Sequence, residues 1–218
     1  MSHMAQNQKK EPAEVILLPV GRLINESLFE MDTYEWNGKK VEPGYTVELA
    51  FDPGALNDIE NKLADAAADE WGEGAYAEYD NGQIVVPIKS GDDMARKREA
   101  NGKAGDAYKG KDVIRANTQF NKFGQSMAPG GVAVYGPDAQ EITIQNRQDI
   151  YSGCFGQAAV TIATYLTNEG KRALKFYLCG FQKTADGEKL VSPRDLSTVF
   201  KPVGRTEGAP VTRRRRAG

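Results

Sequence analysis

The chain has 218 residues, 40% of them hydrophobic, enough to bury a real core in one large domain or two small ones. No run approaches the roughly 18 to 20 uninterrupted apolar residues of a membrane span, and no signal-peptide core is present, so the expected setting is cytoplasmic. Net charge is −2, but residues 11–83 carry 17 acidic and 4 basic side chains while residues 84–218 carry 13 and 22, so the second part suits a polyanionic partner.

Residues 1–13 are polar and expected to be disordered, and Met1-Ser2-His3-Met4 reads as a cloning remnant. EVILLPVGRLI and SLFEMDTYEW read as strands, and Asn37-Gly38 signals a hairpin into VEPGYTVELAF, where Tyr45, Val47, Leu49 and Phe51 alternate with Thr46, Glu48 and Ala50. Asp52 as N-cap and Pro53 at the first helical position predict one amphipathic helix, with Leu56, Ile59 and Leu63 as its stripe and Gly72 as its stop. IVVPIK at 84–89 predicts a short strand, and the following SGDDMARKREANGKAGDAYKGK a long basic loop. In DVIRANTQF, Ile114, Ala116, Thr118 and Phe120 form the expected core side, opposite Val113, Arg115, Asn117 and Gln119. Residues 124–136, with Pro129-Gly130-Gly131, read as turns, and a short strand is expected about Ile142 and Ile144. CFGQAAVTIATYL and RALKFYLCGFQ are two long strands joined by Thr167-Asn168-Glu169-Gly170. The end of the chain is turn-rich and closes on a basic tail, Arg213-Arg214-Arg215-Arg216. The expected fold is mainly β: an OB-like five-stranded barrel elaborated with extra strands and long loops, with one amphipathic helix. Residues 14–203 are the expected single domain and 204–218 a disordered tail.

Catalytic readings fall quickly. The sole histidine, His3, lies in the cloning remnant, which removes Ser-His and Cys-His dyads and His-ligated zinc. Cys154 and Cys179 are too few for a four-cysteine zinc site and read as reduced, buried thiols. Gly102-Lys103-Ala104-Gly105 does not make a phosphate loop, and the adjacent Asp92-Asp93 pair diverges too much for metal-assisted cleavage. No enzyme activity, cofactor or metal is expected.

A binding surface is better supported. Phe155, Gln157, Thr161 and Tyr165 share one face of their strand, while Val160, Ile162 and Leu166 take the other together with Cys154. In the next strand Lys175, Tyr177 and Cys179 alternate with Leu174, Phe176 and Leu178. Rings that stack on bases beside cations that meet phosphates are what single-stranded nucleic acid needs. Tyr108, Lys109, Lys111 and Arg115 form a second aromatic–basic cluster, and Trp36, Lys39 and Lys40 a third at the first hairpin. With Tyr151 and Arg172, these residues and Phe155, Tyr165, Lys175 and Tyr177 make the expected DNA-binding set. The same aromatics could instead bury against a loop or a second subunit.

YSGCFGQAAVTIATY, with AYKGKDVIRANT upstream and ALKFYLCGFQK downstream, resembles the phage-encoded single-stranded-DNA-binding proteins once catalogued as a family of unknown function. The resemblance runs from about Gly21 to Val203 and rests most on Tyr151, Ser152, Gly153, Cys154, Phe155 and Gly156, with Tyr108, Gly110 and Asn117 upstream. It implies an OB-fold, sequence-tolerant binding of single-stranded DNA without catalysis, a role in replication or recombination, and the cytoplasm of an infected bacterium. It leaves open a homodimer and contacts with phage or host replication proteins. Two other readings remain at this point: a structural or interaction component of the phage particle, and a strand-annealing recombination protein. The RRRRAG ending departs from the acidic tails of many bacterial and phage ssDNA-binding proteins.

Overall fold

The structure, a computed structural model, describes residues 13–36, 39–118 and 131–190, and within these the side chains of 32–36 and 39–43 fall outside the description. The expected N-terminal disorder, the Asn37-Gly38 turn itself, Gln119, Phe120, Pro129-Gly130 and the basic tail lie outside the described residues.

Among the described residues eight strands form one sheet: β1 (Val15–Leu17), β2 (Gly21–Trp36), β3 (Lys39–Phe51), β4 (Ile88–Ser90), β5 (Asp112–Asn117), β6 (Ala133–Tyr135), β7 (Phe155–Leu166) and β8 (Arg172–Ala185). The order β7-β2-β3-β5-β8 returns to β7 through the β7–β8 ladder, which closes a five-strand ring, with β1, β4 and β6 added outside it. The expected OB-like barrel is therefore present. The first hairpin pairs as far as Trp36↔Lys39, in keeping with a two-residue connection. The second is closed by Thr167 N–H donating to the Lys171 carbonyl at 2.8 Å and by Gly170 at φ 78°.

Alternation fills the ring. Leu23, Val47, Leu49, Ile114, Ala116, Val160, Leu174, Phe176 and Leu178 all point into one core, and Cys154 is buried with them. Between Val160↔Leu178 and Ala159↔Gly180 the register slips, so Cys179 is an extra residue on β8. That bulge reverses the parity of β8, and beyond it Phe181 and Lys183 are the buried residues. Glycines let strands approach where rings cross them. A Cβ on Gly21 would lie 2.6 Å from the Phe51 ring, and one on Gly156 would meet the Phe181 ring and the Gln182 carbonyl.

Helices differ from the sequence expectation in number and start. Helix α1 (Asn57–Trp71) begins four residues later than Pro53, because residues 52–56 form a turn in which Ala55 N–H donates to the Asp52 carbonyl at 3.1 Å. Ile59, Leu63 and Ala67 bury its inner stripe, and Gly72 ends it at φ 85°. A second helix, α2 (Gly74–Asp80), follows at once. The expected basic loop instead opens with helix α3 (Gly91–Ala100), capped by Ser90 Oγ accepting from Asp93 N–H at 3.4 Å. Acids in its first turn and bases in its last favour it electrostatically. Helix α3 covers the outer side of the ring, where Ile24, Ala50, Ala95, Tyr108 and Val113 form a smaller core. This is why Val113 is buried although it lies opposite Ile114. The strand expected at 84–89 shrinks to β4 and an isolated Val85↔Ala173 bridge. Residues 144–149 form 3₁₀ turns instead of the strand expected near Ile144, and β6 arises inside the stretch expected to be turns.

Gly156→Ala should lower stability by about 1–3 kcal/mol, the usual range for overpacking. That is a fall in Tm of about 2–4 °C per kcal/mol for a chain of this size, read by thermal unfolding. An unchanged Tm would show that Phe181 has room to withdraw.

Candidate nucleic-acid interface

The outer face of the ring opens where α3 stops covering it. Asn117 on β5 is the residue paired with Tyr177 on β8, Tyr177 is paired in turn with Thr161 on β7, and Lys175 is paired with Ala163. Paired residues project to the same side of a sheet. Arg115, two positions before Asn117 and exposed, therefore shares this face. Tyr165 stands further along β7 and is 41% exposed. Lys175 bridges the two rings, with Nζ 4.1 Å from the Tyr177 centroid and 5.5 Å from that of Tyr165. Arg115, Asn117, Tyr177, Lys175 and Tyr165 thus form one continuous strip across three strands. Asn117 is the addition to the sequence-based set. Its signal was available in its parity with Arg115.

Other expected contacts sit elsewhere. Tyr108 is 2% exposed, so as a base-stacking ring it is corrected. It lies beneath α3, with its hydroxyl donating to Glu48 Oε1 at 2.5 Å and Arg98 5.0 Å over its ring. Burial, then the Glu48 hydrogen bond, raises its pKa. Its neighbours hold the same junction. Lys109 pairs with Glu99 and Asp106 at 2.8 Å each, and Lys111 pairs with Asp52. Gly110 N–H donates to Asp92 Oδ1 at 2.8 Å. AYKGK is a latch fastening α3 to the barrel.

Arg172 is half-exposed and engaged by two partners within the chain. It lies 5.4 Å over the Trp71 ring and pairs with Glu78 at 2.7 Å, which ties β8 to α1 and α2. Trp36, Lys39 and Lys40 belong to the β2–β3 hairpin, and their side chains fall outside the description.

YSGC forms a corner. Tyr151 hydroxyl donates to Asp186 Oδ1 at 2.8 Å and accepts from Gly187 N–H at 3.2 Å. Lys183 and Lys189 approach its ring at 5.0 and 5.1 Å. Gly153 N–H donates to the Leu23 carbonyl at 2.7 Å, and Leu190 N–H donates to that of Ser152 at 2.9 Å. Gly153 has φ 114°, and a Cβ there would overlap the Glu188 carbonyl. Cys154 is fully buried, and burial pushes its thiol pKa up, the opposite of what a nucleophile needs. Cys179 is exposed, contrary to the expectation of two buried thiols. Phe155 is 37% exposed but stands about 20 Å along β7 from Thr161, apart from the Tyr165–Tyr177 strip.

Among the described residues no group of three Asp, Glu, His or Cys side chains is placed to hold a metal, and no helix is long and apolar enough to cross a membrane.

A closed five-strand ring with helices outside it and an aromatic–cationic strip on its open face defines an OB-like binding domain. Residues 13–208 match the family described as Enterobacter phage Enc34, ssDNA-binding protein, and the chain belongs to that family. Membership agrees with the expectation of a binding protein rather than an enzyme. The single-stranded DNA-binding protein from bacteriophage Enc34, solved in complex with ssDNA, is 17% identical and superposes with a TM-score of 0.58 over 81% of this chain and 89% of that one. The single-stranded DNA binding protein gp2.5 of bacteriophage T7 is 10% identical, with a TM-score of 0.52 over 90% of this chain and 100% of that one. At these identities the two likenesses speak for the fold. No sequence among curated proteins matches.

Tyr108→Phe should cost about 1–3 kcal/mol of stability, because the buried Glu48 carboxylate loses a donor, while oligonucleotide affinity per folded molecule stays the same. Denaturant unfolding beside a binding titration checks both halves. A loss of affinity without loss of stability would return Tyr108 to the interface.

Proposed function

We propose that this protein is a phage single-stranded DNA-binding protein that coats DNA without reading its sequence during replication or recombination, in the cytoplasm of the infected host. The observation that carries the reading is the strip in which Lys175 bridges Tyr165 and Tyr177 beside Asn117 and the exposed Arg115. The rings offer stacking surfaces that every base can use, and the cations follow the backbone. Family membership and the Enc34 relative solved with ssDNA support the same conclusion. Stacking on ring faces and pairing of cations with phosphates are both indifferent to base identity.

Fluorescence anisotropy with labelled oligo-dT at two salt concentrations tests the proposal. Log K should fall with log salt at about −0.7 per phosphate neutralised. Absence of binding at low salt would overturn the function. Tyr165→Ala and Tyr177→Ala should each weaken binding by about 1–3 kcal/mol, roughly 5- to 150-fold, with unfolding curves unchanged. Lys175→Ala should flatten the salt slope by about 0.7. If both tyrosine variants bind as tightly as the parent, the strip is not the platform.

A further inference from the structure

A groove of about 300 Å³ runs between β1 and α1 on another part of the molecule. Its floor is apolar, from Ile16, Ala66 and Ile162, and its rim carries Glu14, Asp65 and Asp69 with Lys62. Tyr76 on α2 is 41% exposed and donates its hydroxyl to Asp65 Oδ1 at 2.8 Å. Asp65, Asp69 and Glu73 together raise the pKa of that phenol, with the Asp65 hydrogen bond the largest cause, so three carboxylates converge around one open ring. The same helix pair already shows what such a set holds. Arg172 lies over Trp71 and pairs with Glu78, an aromatic face and a carboxylate gripping one guanidinium. Around Tyr76 the composition repeats, and among the described residues no lysine or arginine forms an ion pair with Glu14, Asp65 or Asp69.

We propose that this groove is the docking site for the chain's own arginine run, Arg213–Arg216. The sequence before the run, Ala209-Pro210-Val211-Thr212, supplies small apolar side chains for the floor, and the arginines supply charge for the rim. Reach is sufficient. The chain from Leu190 to Arg213 can span about 75 Å when extended, and a globule of this size is about 40 Å across. Docking confers a regulatory role that rests on the DNA-binding reading. Arginines held on carboxylates are withheld from phosphates, so the tail adds to the DNA footprint once it leaves the groove.

Two measurements on full-length protein test the docking and its consequence separately. In the first, a labelled peptide of residues 209–216 is titrated at low salt into protein carrying Arg213→Ala, Arg214→Ala, Arg215→Ala and Arg216→Ala. It should bind, and adding Asp65→Asn and Asp69→Asn should weaken it about 5- to 30-fold while preserving the Tyr76 hydrogen bond. No binding, or equal binding to both proteins, overturns the docking whatever the protein does with DNA. In the second, Asp65→Asn with Asp69→Asn should raise oligo-dT affinity about tenfold in the chain with its arginines and leave it unchanged in the chain without them. An equal rise in both would assign the effect to general charge and overturn the withholding role.

Discussion

Closure of the ring is the constraint from which the rest follows. Strand β7 pairs with β2 at its start and with β8 along its length, and β8 reaches β5 through a single registered pair, Asn117↔Tyr177. Closure removes the open edges of the five ring strands and forces their alternating side chains into two populations, an interior of branched and aromatic groups and an exterior available for other work. The exterior is then divided by what covers it. Helix α3 with AYKGK takes the part above Ala50 and Val113, helices α1 and α2 pack instead against the interior core, and the strip from Arg115 to Tyr165 is left open.

The division explains why similar clusters have different fates. Tyr108 with Lys109 and Lys111, Trp71 with Arg172, and Tyr165 and Tyr177 with Lys175 all combine rings with cations. In the first two the pairing is internal, because carboxylates of Glu48, Asp106, Glu99, Asp52 and Glu78 accompany them. Around Lys175 the described residues offer aromatic rings and no carboxylate partner. Positive charge without a neutralising neighbour is what a phosphate backbone can use.

The ring was legible in the sequence wherever period-two alternation was long. Strands β3, β7 and β8 and the inward side of Cys154 follow from it, and the Thr167–Gly170 turn follows from its residue types. Helix α3 was not, because it buries only Gly91 and Ala95 and so has no apolar stripe; its signals were the Ser90-to-Asp93 cap and the acid-first, base-last charge order. Parity also carried the Tyr165–Lys175–Tyr177 face, and what it could not show is that Cys179, set on that same face, is an inserted residue that reverses the strand beyond it. Tyr108 was misassigned for a different reason. It was read from the composition of an expected loop, which says nothing of whether a helix lies across it.

The YSGC corner bears on how relatives of this protein are to be read. Gly153 and Gly187 face one another so closely that a Cβ on either would overlap a carbonyl across the gap, that of Glu188 or of Gly153 itself. Selection against side chains at such a contact operates on folding, whether or not DNA ever arrives. The YSGC segment is therefore a record of how the chain turns a corner, and its persistence in a relative would measure architectural descent rather than ligand choice. The open strip is under no such constraint, so its residue types can change without unmaking the corner.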